Sequence, residues 1–197
     1  MKSILLSIHP KWCAKIMNGD KTIEVRKGTA LYKAIKKQID QYGYADIYVY
    51  CTKGKDLLVI GDSPFKEEKE YCIAKDNIAL NGGKLPILNG KVIFKFRCYK
   101  VEEIYYCDEE YLKPSCLSIH EMFDYLKDKC GTAIHISDLE IFDKPKELSE
   151  FNSFQRAKAR ECGLLEQCKK CGRRFNRCHL LKPLTTAPQS FAYIEVE

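Results

Sequence analysis

The sequence predicts an α+β protein: a small β-barrel with helices at its periphery. Three observations lead there. Residues 22–26, 91–99 and 133–142 alternate apolar and polar side chains with the period of two that half-buried strands require. Shorter stretches with helical spacing are inserted between the strands at irregular intervals. Pairing of the first strand with the last would remove exposed sheet edges by closing a barrel.

Taken in order, residues 3–8 read as the first strand, and Pro10 then sits where a helix begins without losing a needed N–H. Trp12, Cys13, Ile16 and Met17 recur on one helix face, which Asn18-Gly19 terminates. In the strand at 22–26, Ile23 and Val25 point inward. A basic helix over 31–41 places Leu31, Ala34, Ile35 and Ile39 on one face, with Lys33, Lys36 and Lys37 elsewhere, and stops at Gly43. Strands follow at 45–52 and 57–60. Residues 61–90, rich in glycine, proline and charge, read mostly as loop. A long strand over 91–99 extends toward Tyr106. Ser118 and Glu121 form a capping box for a helix that ends at Cys130-Gly131. One strand over 133–142 stops at Asp143-Lys144-Pro145, and residues 190–196 form the last strand.

The 197 residues suit one globular domain, and 45% apolar content with charges of both signs excludes a disordered, collagen-like or coiled-coil chain. No apolar run reaches membrane-spanning length, and the N-terminus fails as a secretory signal, so the expectation is a soluble, cytoplasmic protein with reduced thiols. The net charge of +6 is unevenly spread: residues 1–40 hold nine basic and three acidic side chains, and residues 156–182 hold nine and two. Such asymmetry permits a one-sided basic surface of the kind that binds nucleic acid; the alternative is two separate solvated faces.

The segment Gly19-Asp20-Lys21-Thr22-Ile23-Glu24-Val25-Arg26 resembles the G-x-K-x-x-E-x-R signature of the ASCH domain family, relatives of the PUA-like barrels. Tyr48-Val49-Tyr50-Cys51-Thr52-Lys53-Gly54, Asn89-Gly90-Lys91-Val92, His135-Ile136-Ser137-Asp138 with the later Lys144-Pro145, and Pro188-Gln189-Ser190 look like the longer phage- and bacteria-type members. The resemblance covers nearly the whole chain. It implies a PUA-like barrel, an RNA or other nucleic-acid or nucleotide ligand, and a cleft at Gly19, Lys21, Glu24, Arg26 and Lys53.

In an extended strand Glu24 and Arg26 share a face. Arg26 suits a phosphate or base edge, Glu24 a base amino group, and Lys21 a phosphate or, if its pKa is depressed, general-base or nucleophilic chemistry. The competing reading is a purely structural ion pair. One enzymatic branch of the superfamily hydrolyses acetylated cytidine with the signature lysine, a threonine three residues later and a glutamate on a later strand. Here Lys21 matches, but Glu24 stands in the threonine's place and the later position falls near Lys95. A nucleic-acid-binding module is therefore the leading expectation. The alternative is an amidohydrolase- or ribonuclease-like enzyme acting on a modified nucleoside or RNA, with Lys21 and Glu24 as the catalytic candidates. His9, His120 and His135 are isolated, and Trp12, Tyr48 and Tyr50 are either stacking platforms or core.

Cys162, Cys168, Cys171 and Cys178 crowd together, with His179 adjacent. The tight C-x2-C turn at Cys168 and Cys171 can present two thiolates to one tetrahedral ion, which points to structural Zn²⁺ with these four cysteines, or His179 in fourth place, as ligands. The alternatives are reduced thiols or a reversible disulfide. Such a knuckle, in a Cys-rich basic insertion at about 156–182 before the closing strand, would aim Lys169, Lys170, Arg173, Arg174 and Arg177 at phosphates.

Overall fold

The computed structural model describes residues 2–62, 69–75, 86–127, 129–156 and 179–196. Twelve strands form among them: β1 (Ser3–Ile8), β2 (Ile23–Lys27), β3 (Ala45–Cys51), β4 (Asp56–Asp62), β5 (Lys69–Lys75), β6 (Val92–Cys98), β7 (Val101–Ile104), β8 (Gly131–His135), β9 (Ser137–Lys146), β10 (Asn152–Arg156), β11 (His179–Pro183) and β12 (Phe191–Glu195). The helices are α1 (Pro10–Met17), α2 (Ala30–Tyr42), the single turn α3 (Leu112–Ser115) and α4 (Ile119–Leu126). No helix among the described residues is long and apolar enough to cross a membrane.

The strands make three sheets: β11-β10-β12-β1-β3-β6-β9, β2-β8-β7 and β4-β5. β1 lies between the antiparallel β12 and the parallel β3, so the first and last strands do pair. No barrel closes, however. Among the described residues the large sheet stays open, with β11 and β9 at its edges.

The near-continuous apolar run of β1 follows from burial on both faces. Ile4, Leu6 and Ile8 join a core with α1 and α2, while Leu5 faces the opposite way and packs with Tyr48, Phe151 and Ile194. β2 sorts its side chains differently. Ile23 and Val25 enter a third cluster with Met122 and Leu126, leaving Glu24 and Arg26 on the other face.

Several boundaries differ from the sequence reading, each for a physical reason. The alternating run 133–142 is two strands. β8 pairs with β2 and β7, whereas β9 leaves for the large sheet and pairs with β6 up to Lys146. Only Ile136 separates them, and Asp138, the second residue of β9, takes φ +46°. Likewise β6 does not run on to Tyr106; β7 belongs to the small sheet. Helix α4 stops at Lys127 in a left-handed conformation, ahead of Cys130-Gly131. Gly131 instead opens β8 where an added Cβ would lie 2.8 Å from Leu126 Cδ2, so its lack of a side chain serves packing.

β5 falls in the stretch read as loop. It pairs along β4, and the Asn18 side chain clasps it by donating to Tyr71 O (2.9 Å) and accepting from Tyr71 N (3.0 Å). Residues 179–183, placed by sequence inside the Cys-rich insertion, form β11, whose His179 pairs with Arg156. Cys162, Cys168, Cys171, Cys178 and the basic residues from Lys169 to Arg177 lie outside the described residues, and His179 is described by its backbone alone.

The capping box on α4 is formed: Ser118 Oγ accepts from Glu121 N (3.2 Å) and Glu121 Oε2 accepts from Ser118 N (2.9 Å). Ser118→Ala removes one half of this exchange. It is expected to lower unfolding free energy by about 1 kcal/mol, read as a fall in urea midpoint at unchanged slope.

Candidate functional site

The site begins at the end of α1. Gly19 takes φ +81°, a left-handed turn with nothing within 4 Å of an added Cβ, so its role is conformational. The turn returns the chain so that Lys21 N donates to Lys15 O (3.0 Å) and the Lys21 side chain points inward. Lys21 Nζ donates to Ser115 O at the end of α3 (2.7 Å), lies 3.4 Å from Glu24 Oε2 and sits 4.9 Å from the centre of the Trp12 ring. On β2, Glu24 Oε1 is 3.4 Å from Arg26 Nε. Arg26 donates in turn to Ser7 O (2.5 Å) at the end of β1. The side chains of Lys21 and Glu24 are only 2% and 6% exposed, and that of Arg26 is 17% exposed.

One carboxylate thus bridges two cations in a nearly dry setting. Burial pulls the Lys21 pKa below its ordinary 10.5, with Glu24 opposing that pull. The Glu24–Arg26 contact is an ion pair without hydrogen-bond alignment: Arg26 Nε is shut off from solvent and has no hydrogen-bond partner.

These residues form one wall of a cavity of about 800 Å³. β1 and its continuation supply Ser7, Ile8 and His9, and α1 supplies Trp12. Tyr50, Thr52 and Lys53 come from the end of β3 and the turn beyond it. Across the opening stand Glu121, Asp124 and Tyr125 of α4. Residues 187–189 close a further side, anchored where Ser7 Oγ donates to Pro188 O (2.7 Å).

The turn carrying Lys53 is itself held. Asn89 donates through Nδ2 to Thr52 O (3.2 Å) and Asp56 O (2.9 Å) and accepts from Leu58 N (2.7 Å). Lys53 lays its stem across Gly90, where a Cβ would meet Lys53 Cε at 2.9 Å. Thr52 Oγ1, like Arg26 Nε, is buried without a hydrogen-bond partner. Both residues line the cavity, although these two atoms are themselves closed off from solvent.

Of the five residues singled out by sequence, Lys21, Glu24, Arg26 and Lys53 line this cavity and Gly19 shapes the turn that delivers the first. The aromatic candidates separate. Trp12 lines the cavity and Tyr50 borders it while buried in the same cluster as Tyr48, which is wholly core and edge-on to Phe151 at 5.4 Å between ring centres. His9 is on the wall, while His135 pairs with Glu102 (2.7 Å) outside it. Lys95 is also elsewhere, paired with Glu140 at 2.9 Å. The sequence reading missed Ser7, Thr52, Glu121, Asp124 and Tyr125, which carry no local motif for a site. A capping box on α4 was legible; the face that α4 turns to the cavity was not. No group of three or more metal-ligating side chains occurs among the described residues.

No family model and no curated protein matches the chain. Its fold does match solved structures. The ASCH protein of Zymomonas mobilis is 18% identical, with a TM-score of 0.51 over 98% of this chain and 88% of that one. A point mutant of the same protein gives 17% identity and a TM-score of 0.52 over 99% and 91%. The chain therefore has the mixed α+β fold of ASCH-domain proteins.

Two outcomes follow from the buried ions. Glu24→Gln leaves two buried cations facing each other and should cost about 3–5 kcal/mol of stability, measurable by urea unfolding; Lys21→Met, which replaces a buried charge by an apolar chain, should cost less. Because the folded pKa of Lys21 lies below 10.5, the unfolded chain binds more protons between the two values. Stability relative to Lys21→Met should accordingly rise as pH is raised through that interval, and a flat difference would contradict the depressed pKa.

Proposed function

We propose that this chain is an RNA- or other nucleic-acid-binding module that receives an unstacked base and its phosphate in the cavity beside Lys21, Glu24 and Arg26. The observation carrying this reading is the combination on one wall of a nearly dry lysine–carboxylate–arginine group with Trp12 and Tyr50 close by. The cavity's volume, about 800 Å³, lies in the range of small-molecule sites. Its polarity is mixed. Glu121 and Asp124 disfavour a surface that only tracks phosphates, while the partly exposed Trp12 offers its ring to a base. Lys53 at the turn is suited to the phosphate.

The Cys-rich segment enters the same reading. We assign it a structural Zn²⁺ held by Cys162, Cys168, Cys171 and either Cys178 or His179, with Lys169, Lys170, Arg173, Arg174 and Arg177 extending the phosphate contacts. The pairing of Arg156 with His179 supports this, because the segment between them departs from and returns to neighbouring strands. Four protein ligands would fill a tetrahedral sphere, giving the metal a stabilising role.

Hydrolysis of a modified nucleoside or RNA is the second reading. It is favoured by the lowered pKa of Lys21 beside Glu24, with the unpartnered Thr52 hydroxyl on the same cavity. Turnover by the purified chain, lost in Lys21→Ala without unfolding, would select it over binding alone.

Binding is tested by fluorescence anisotropy with short single-stranded RNA and DNA at low salt. Arg26→Ala is expected to weaken binding by tenfold or more while the fold is retained, and Lys53→Ala to reduce the log–log salt slope by about 0.7. Absence of binding to every nucleic acid, or indifference to both substitutions, would sink the reading. Native mass spectrometry of chelator-free protein should show one zinc that Cys168→Ser abolishes; metal-free wild-type protein would rule out the zinc assignment.

A further inference from the structure

The opposite end of β1 borders a second cavity, of about 660 Å³, between α2 and the end of β12. The first cavity meets β1 at Ser7 and Ile8, this one at Lys2. At about 3.3 Å per residue the two are roughly 17–20 Å apart along the strand. Its walls are Gln38, Gln41 and Tyr42 of α2 and Tyr193, Glu195 and Val196 at the end of the chain.

Gln38 breaks the pattern of its helix. It stands with Leu31, Ala34 and Ile35 on the buried face of α2, at 6% exposure, yet neither Nε2 nor Oε1 has a hydrogen-bond partner. A buried amide with both atoms unsatisfied opposes folding, and a methionine or leucine would fill the place without that cost. Violations of this kind, without local compensation, concentrate where function demands them.

We propose that this groove is a second nucleotide-binding subsite, in which Gln38 reads a base presenting a donor and an acceptor side by side, as adenine does with N6 and N7. A glutamine amide meets that edge in a bidentate pair, one N–H donated and one accepted. Both amide atoms are closed off from solvent in this structure, so base binding requires a change of Gln38 rotamer that turns them toward the groove. Tyr42 and Tyr193, 45% and 38% exposed on its walls, supply flat surfaces for stacking. Lys37 on the same wall suits the phosphate, and Glu195 suits a ribose hydroxyl. The proposal is independent of the catalytic or binding role of Lys21, Glu24 and Arg26, although a single strand bound at both cavities would run along β1.

The test is photocrosslinking of 2-azido-AMP, whose azide lies away from the N6/N7 edge, to the full chain, followed by peptide mapping. Label is expected on the peptide carrying Tyr42 or Tyr193, reduced tenfold or more in Gln38→Met and in Tyr42→Ala. AMP should compete, whereas ribose 5-phosphate and N6,N6-dimethyl-AMP, which lacks the donor, should not. Competition by AMP alone identifies a free nucleotide as ligand; competition only by oligoadenylate identifies a base within a strand. Gln38→Met should also raise the melting temperature, which separates loss of binding from loss of fold. Equal labelling of Gln38→Met, or equal competition by ribose 5-phosphate, overturns the proposal. Label confined to Trp12 or Tyr50 overturns it while leaving the first cavity's reading intact.

Discussion

Glu24 lies between Lys21 and Arg26 with almost no water around the first two, and much of the surrounding structure answers to that arrangement. Two buried cations are tolerable only if their charge and their donors are met. The carboxylate meets part of the charge. Backbone carbonyls add one hydrogen bond to each cation: Ser115 O at the end of α3 for Lys21, and Ser7 O at the end of β1 for Arg26, whose Nε stays without a partner. The left-handed turn at Gly19 and the single-turn helix α3 are thus parts of the site, although neither need touch a ligand. The group keeps an excess positive charge, which is the sign a phosphate-bearing ligand would require.

The site sits where two sheets meet. β1 and β3 of the large sheet bring Ser7, Tyr50 and Thr52, and β2 of the small sheet brings Glu24 and Arg26. Four segments pass between these sheets, and the two short ones are at 98–101 and 135–137. The corner is tied by exposed contacts: Tyr99 donates to Asp138 Oδ2 at 2.6 Å, and Arg97 lies 3.7 Å from the same carboxylate. α4 is held against β2 through Met122 and Leu126, which places its acidic residues over the cavity. A packing decision in the third apolar cluster therefore sets the polarity of the cleft.

Buried polar side chains are few in the described residues, and they are not equivalent. Thr132 is satisfied, donating to Gly28 O at 2.7 Å, and it reads as structural. Thr52 and Gln38 are unsatisfied, and each borders a cavity. That difference is the basis for reading the first as structural and for proposing ligand roles at the other two.

Local pattern was enough for the elements whose neighbours repeat it. The run of β1, the proline start of α1, the glycine stop of α2 and the capping box of α4 are fixed by short-range sterics and hydrogen bonding, so they could be read directly. The spacing of Lys21, Glu24 and Arg26 likewise fixed which side chains share a face of β2. Tertiary structure alone decided the rest. Alternation continues through a bend, so the division of 133–142 between β8 and β9 leaves no trace in the period. An open sheet and a closed barrel use the same alternating strands, and only long-range pairing distinguishes them. Tyr48 and Tyr50 are chemically alike, share a face of β3 and join the same buried cluster, yet only Tyr50 also borders the cleft, because what covers each comes from distant segments. Gln38 is unremarkable as a sequence letter on a basic helix; its meaning arises only when burial removes its water.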